Sequence, residues 1–173
     1  MNSTTPKDSM LGPAQMDDDE SINNTPIQSL LPYKLYHISA IHERIAYANM
    51  TRMTGVTLPE WRIMGNIASG IDSFTELTKE LVVDPGQLSN SIKQLQAKGL
   101  LEKRKSTIDR RQTILSLSAL GKEKKVFILD MAKAYEDMAL AGLDKGQIET
   151  LNHALATVES NIRNFWREHN GDQ

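Results

Sequence analysis

The chain has 173 residues, of which 39% are hydrophobic and 24% charged. That size and composition fit a soluble globular protein of one domain or two small ones and exclude a repeat array. Cysteine is absent, which removes disulfides, thiolate metal sites, cysteine nucleophiles and thiol redox sensing together. The net charge of −2 is unevenly spread: the first 29 residues hold one base, Lys7, against Asp8, Asp17, Asp18, Asp19 and Glu20, whereas residues 98–111 hold six bases and two acids.

No apolar run approaches the ~18 residues of a membrane span. The opening residues lack a basic start followed by an apolar block, so a cytoplasmic protein with no membrane partner is expected. Residues 1–29, with Pro6, Pro13, Pro26 and an acidic run, carry few large apolar groups and are expected to be a disordered acidic tail. Over 31–53, Leu35, Ile38, Ile41, Ile45 and Ala48 recur at helical steps, predicting a long amphipathic helix stopped at Gly55. Thr57-Leu58-Pro59-Glu60 is a cap-like start for a second helix, with Trp61, Met64, Ile67 and Ala68 on one face and Gly70 at its end.

Asp72 or Ser73 can cap a short helix carrying Phe74, Leu77 and Leu81. Asp84-Pro85-Gly86 then opens another, with Leu88, Ile92 and Leu95 inward and Gly99 at its exit. The period next changes to two: residues 102–105 and 113–118 predict a β-hairpin around a polar, basic tip at 106–112. Val126, Leu129, Met131 or Ala132, Tyr135, Met138 and Ala139 mark a long helix as far as Gly142. A last helix over 146–168 places Ile148, Leu151, Leu155, Val158, Ile162 and Phe165 or Trp166 on one stripe.

Two short helices, a tight turn and a basic hairpin form a winged helix-turn-helix, in which the second helix enters the major groove and the hairpin reaches toward the minor groove. The outward face of that helix carries Gln87, Ser89, Asn90, Lys93 and Gln94, side chains that can hydrogen-bond base edges or phosphates. Any amphipathic helix also has a polar solvated face. The hairpin shifts the balance toward DNA: Lys103, Arg104, Arg110 and Arg111 cluster at the wing, with Asp109 placed to hold the arginines through local hydrogen bonds.

The runs Thr57-Leu58-Pro59-Glu60-Trp61-Arg62-Ile63-Met64, Glu76-Leu77 through Leu88-Ser89, Leu95-Gln96-Ala97-Lys98-Gly99-Leu100-Leu101-Glu102-Lys103, Asp109-Arg110-Arg111-Gln112 and Leu117-Ser118-Ala119-Leu120-Gly121 resemble the MarR family of bacterial transcriptional regulators. The resemblance covers residues 31–166. It implies a mainly α fold with a small β-hairpin wing, in which residues 30–173 are a single MarR-like domain. Within that domain, 56–120 would be the winged helix-turn-helix, and 30–55 and 121–168 the long dimerisation helices. It further implies a homodimer on double-stranded DNA and a ligand pocket between the dimerisation and DNA-binding parts. The expected function is a repressor released from a pseudo-palindromic operator by a small aromatic or phenolic acid, with no cofactor. The chain departs from the family pattern in its longer acidic tail and in Pro85-Gly86.

For the pocket, His37, Ile41 and Arg44 lie on one face of the first helix, and Trp61 and Met64 begin the second; cationic groups beside an aromatic ring and flexible Met suit an aromatic carboxylate. The same residues also suit a dimer interface, and Trp61 a core position. His37 and His42 are five apart, the wrong spacing for a two-histidine metal clamp on a helix. No Ser-His-Asp pattern, glycine-rich phosphate loop or HExxH motif points to an enzyme. The alternative function is a winged-helix module that binds a protein partner instead of DNA.

Overall fold

The structure is a computed structural model that describes residues 25–105 and 113–170; the expectations for the acidic tail and for the wing tip, including Arg110 and Arg111, lie outside them. The described residues divide into two compact units, Leu31–Ala139 and a second formed by residues 140–170 with 25–30. That boundary falls inside the span read from sequence as one domain.

Helix α1 (Leu31–Ala46) runs on through a π-helical segment, Tyr47–Thr51, into a closing α-turn, Arg52–Thr54. The expected single helix is thus present, but re-phased by the wider π turn. None of the 16 residues of α1 is buried, whereas Met50 and Thr54, just beyond, both are. Gly55 adopts φ +70° and ends the path, its N–H donating to Thr51 O at 2.9 Å. Helix α2 (Leu58–Ala68) opens with a reciprocal capping box: Thr57 N–H donates to Glu60 Oε2 at 2.8 Å and Glu60 N–H to Thr57 Oγ1 at 3.4 Å. Helices α3 (Phe74–Leu81) and α4 (Pro85–Ala97) follow, then strands β1 (Leu101–Lys105) and β2 (Thr113–Leu117), and helix α5 (Ala119–Ala139).

The core of this unit gathers Ile63, Met64 and Ile67 of α2, Leu77 of α3, Leu88, Ile92 and Leu95 of α4, the hairpin leucines and Ile128 of α5. On α5 Gly121 and Ile128 are buried and Leu129, Met131, Ala132 and Tyr135 are half-buried, whereas Val126 and Met138 are exposed. Gly121 and Ile128 are seven residues apart and so share a face, and at Gly121 the first turn of α5 lies directly against the Leu100 backbone. The edge of α1 is tied to α5 by His42 and Tyr135, whose rings meet edge to face at 4.6 Å.

In the second unit, helix α6 (Lys145–Asn170) starts at a second reciprocal box, in which Gln147 N–H donates to Asp144 Oδ1 and Asp144 N–H to Gln147 Oε1, both at 2.9 Å. At 26 residues it is about 39 Å long. Much of its apolar stripe is uncovered: Leu151, Leu155, Ile162 and Phe165 are exposed, while Ile148 and Val158 are half-buried.

Candidate nucleic-acid interface

Ser73 caps α3, its hydroxyl accepting from Glu76 N–H at 3.2 Å and donating to Glu76 Oε2 at 2.7 Å. The chain then reverses at Val82, the only described non-glycine residue with positive φ (φ 50°, ψ 49°). A β-branched residue is strained in the left-handed region, and this one is 76% exposed, so its side chain secures little packing in return. Val82→Asn is therefore expected to raise stability by about 1 kcal/mol, read as a higher urea midpoint with an unchanged slope.

Asp84 starts α4: its Oδ1 accepts from Gly86 N–H at 2.8 Å and Gln87 N–H at 3.2 Å, and Pro85 occupies the first turn, where no N–H is needed. Leu88, Ile92 and Leu95 are at most 2% exposed and fix the rotation of the helix. That rotation turns Gln87, Asn90, Lys93 and Gln94 out into solvent, with Ser89 half-buried beside them. At its far end Gly99 takes φ +69°, and Leu100 N–H returns to Leu95 O at 2.9 Å.

The hairpin pairs Lys103 with Leu115 and Arg104 with Ile114 across an antiparallel register, and both bases are exposed. Its base is anchored to the start of α3: Ser73 bridges Ile114, and Leu115 N–H donates to Asp72 O at 2.9 Å. Sequence reasoning placed no partner on this side of the hairpin, because a two-residue bridge leaves no periodic signal.

One base of the 98–111 run is used internally. Lys98 Nζ lies 2.6 Å from both carboxylate oxygens of Glu60 and 2.7 Å from Gly55 O. Glu60 is only 3% exposed. The pair ties the end of α4 to the start of α2 and the end of the π-bearing helix, and Lys124 adds a donor to Thr54 O at 2.6 Å. Lys98, one of the six bases of that run, is thus held against the buried Glu60 carboxylate while its own side chain stays about a third exposed.

The five residues expected to form a ligand pocket are not brought together. Met64 is fully buried in the core between Ile63 and Ile67, and His37, Ile41 and Arg44 are exposed on α1, where His37 stacks on Tyr33. Trp61, half-buried, instead lines an open depression of ≈ 390 Å³ with Arg62, Gly65, Asn66, Ser69, Lys125 and Leu129. Neither Arg62 nor Lys125 has an ion-pair partner among the described residues. The clue in the sequence was the helical spacing of Trp61 and Gly65 on α2 and of Lys125 and Leu129 on α5, which put an indole and a cation along neighbouring helix faces.

The MarR family profile matches residues 54–112; members of that family are transcriptional regulators, not enzymes. No curated protein matches the sequence. Among solved structures, a MarR/EmrR family transcriptional regulator from Acinetobacter sp. ADP1 is 20% identical with a TM-score of 0.70, over 76% of this chain and 93% of that one. The S. aureus MepR–DNA complex is 15% identical with a TM-score of 0.71, over 79% and 99%. Bordetella bronchiseptica BpsR, whose DNA binding is regulated by 6-hydroxynicotinic acid, is 15% identical with a TM-score of 0.69, over 78% and 96%. Over residues 54–112, which hold the helix-turn-helix and the first wing strand, the chain is similar to the MarR family, and its fold is that of the solved MarR-family structures.

Proposed function

We propose that this chain is a cytoplasmic DNA-binding transcriptional repressor that works as a homodimer on a pseudo-palindromic operator. The observation that carries the reading is the outer face of α4: four exposed polar side chains with base-edge chemistry, held outward by three buried leucine and isoleucine anchors and flanked by the exposed Lys103 and Arg104. Dimer formation is supported by the uncovered apolar residues of α1 and α6, which a second copy would cover in an isologous interface, setting half-sites about one helical turn apart.

The effector is a small aromatic acid seated in the Trp61 depression. The indole offers a flat wall, and Arg62 and Lys125 offer charge to a carboxylate. His37, Ile41 and Arg44 enter this site only where dimer assembly brings an α1 to it.

The test is titration of the full chain against duplex DNA from upstream of its own gene at several salt concentrations. Affinity should fall steeply with salt, and Arg110→Ala with Arg111→Ala should reduce the slope by about two. In a Trp166→Phe background, hydroxybenzoates and hydroxypyridine acids should quench Trp61 fluorescence and release the DNA. Arg62→Ala with Lys125→Ala should weaken that release about tenfold or more while leaving DNA affinity intact. Salt-independent binding, or no binding with stable capture of a protein partner, would contradict the reading.

A further inference from the structure

The DNA-facing helix carries no arginine. Over Pro85–Ala97 its only base is Lys93, and its exposed stripe is made of amides: Gln87, Asn90 and Gln94. At ~100° per residue these three fall within about 60° of arc, and the span from the first to the last is about 10.5 Å, close to three base-pair steps at about 3.4 Å each.

An amide offers one donor and one acceptor side by side. Adenine presents the complement in the major groove, an N6–H donor beside the N7 acceptor, whereas guanine presents two acceptors, N7 and O6, so the amide oxygen would face an oxygen or nitrogen lone pair there. The usual guanine reader, a bidentate arginine, is missing from the stripe. Asp84, the only acid at the start of the helix, spends its Oδ1 on the N–H groups of Gly86 and Gln87 as the helix cap and lies outside the stripe of Gln87, Asn90 and Gln94. Asn90, the shortest of the three amides, sits in the middle, where a straight helix lying in a curved groove comes closest to the bases. Lys93 lies at the edge of the stripe, positioned for a phosphate or a flanking guanine.

From this pattern, which rests on the DNA-binding reading above, we infer that each operator half-site presents adenines at the major-groove positions facing Gln87, Asn90 and Gln94, read through their N6 and N7 edges. Such base-edge recognition is distinct from recognition of the general shape of A·T-rich DNA.

The experiment is recovery of bound duplexes from a random-sequence pool by the intact protein, followed by base-analogue substitution in the best site. Two or three neighbouring A·T pairs per half-site are expected at the α4 positions. Replacing those adenines with 7-deazaadenine, which deletes N7 and leaves pairing intact, should weaken binding about 5- to 100-fold per contact. Replacing them with 2,6-diaminopurine, which changes only the minor-groove edge, should leave affinity within about threefold. Asn90→Ala, with an unchanged melting temperature, should erase the adenine preference at one position only. Guanine at those positions, or A·T sites indifferent to 7-deazaadenine, would overturn the inference while leaving DNA binding in place. Failure to enrich any duplex would overturn the DNA-binding reading itself.

Discussion

Gly121→Ala is expected to destabilise the protein by about 2–3 kcal/mol, although glycine-to-alanine changes inside helices ordinarily stabilise by about 1 kcal/mol. The sign is reversed by one contact: a Cβ on Gly121 would lie 2.1 Å from the Leu100 carbonyl oxygen, a backbone atom that cannot rotate away. That oxygen already accepts from Ser118 N–H at 3.1 Å, while Ser118 Oγ donates to Gly99 O at 2.7 Å and accepts from Gly121 N–H at 3.0 Å. Moving Leu100 aside would strip this cluster and the return bond to Leu95 that ends α4. The loss should therefore appear in urea denaturation and as weakened DNA binding at temperatures where the protein remains folded. Gly65→Ala, with nothing within 4 Å of its new Cβ, is the internal control and should stabilise modestly.

Lys98→Met should cost about 2–4 kcal/mol, the range for breaking a buried ion pair from one side, with some discount because Lys98 is about a third exposed. The penalty falls on Glu60, whose carboxylate is left desolvated with the Thr57 N–H as its remaining partner among the described hydrogen bonds. Pairing the change with Glu60→Gln removes the stranded charge and keeps an acceptor for Thr57, so the double variant should recover at least half of the loss. A double-mutant cycle in urea measures this coupling, expected at above about 1 kcal/mol. Additive losses would mean that the 2.6 Å contact contributes nothing specific.

The helix-turn-helix half of the chain is legible in sequence wherever one element carries its own period. Leu88, Ile92 and Leu95 define the buried side of α4, and the outward residues follow from them by geometry. Thr57 with Glu60 announces the start of α2, and Gly99 and Gly55 mark exits that the structure shows at positive φ. Features that join distant segments leave no such trace. Glu60 and Lys98 are 38 residues apart, and neither the bridge from Ser73 to the hairpin nor the left-handed turn at Val82 follows from a local pattern.

The five residues expected around a ligand are kept apart in the single chain for a related reason. Apolar spacing on α2 allows Met64 to serve either the core or a pocket wall, and only the packing of Ile63 and Ile67 beside it decides for the core. For α1 and α6 the sequence showed amphipathic stripes, and in the single chain most of those apolar residues remain exposed.

The most direct test of the central claim, that the outer face of α4 reads DNA, compares wild type with the Gln87→Ala, Asn90→Ala, Gln94→Ala triple variant on operator and on unrelated duplexes of equal length. All three side chains are exposed, so melting temperature should be unchanged. Operator affinity should fall at least about a hundredfold, toward the level of unrelated DNA, while the salt slope, set by phosphate contacts elsewhere, stays close to wild type. A folded triple variant that still separates operator from unrelated DNA as well as wild type does would contradict the account.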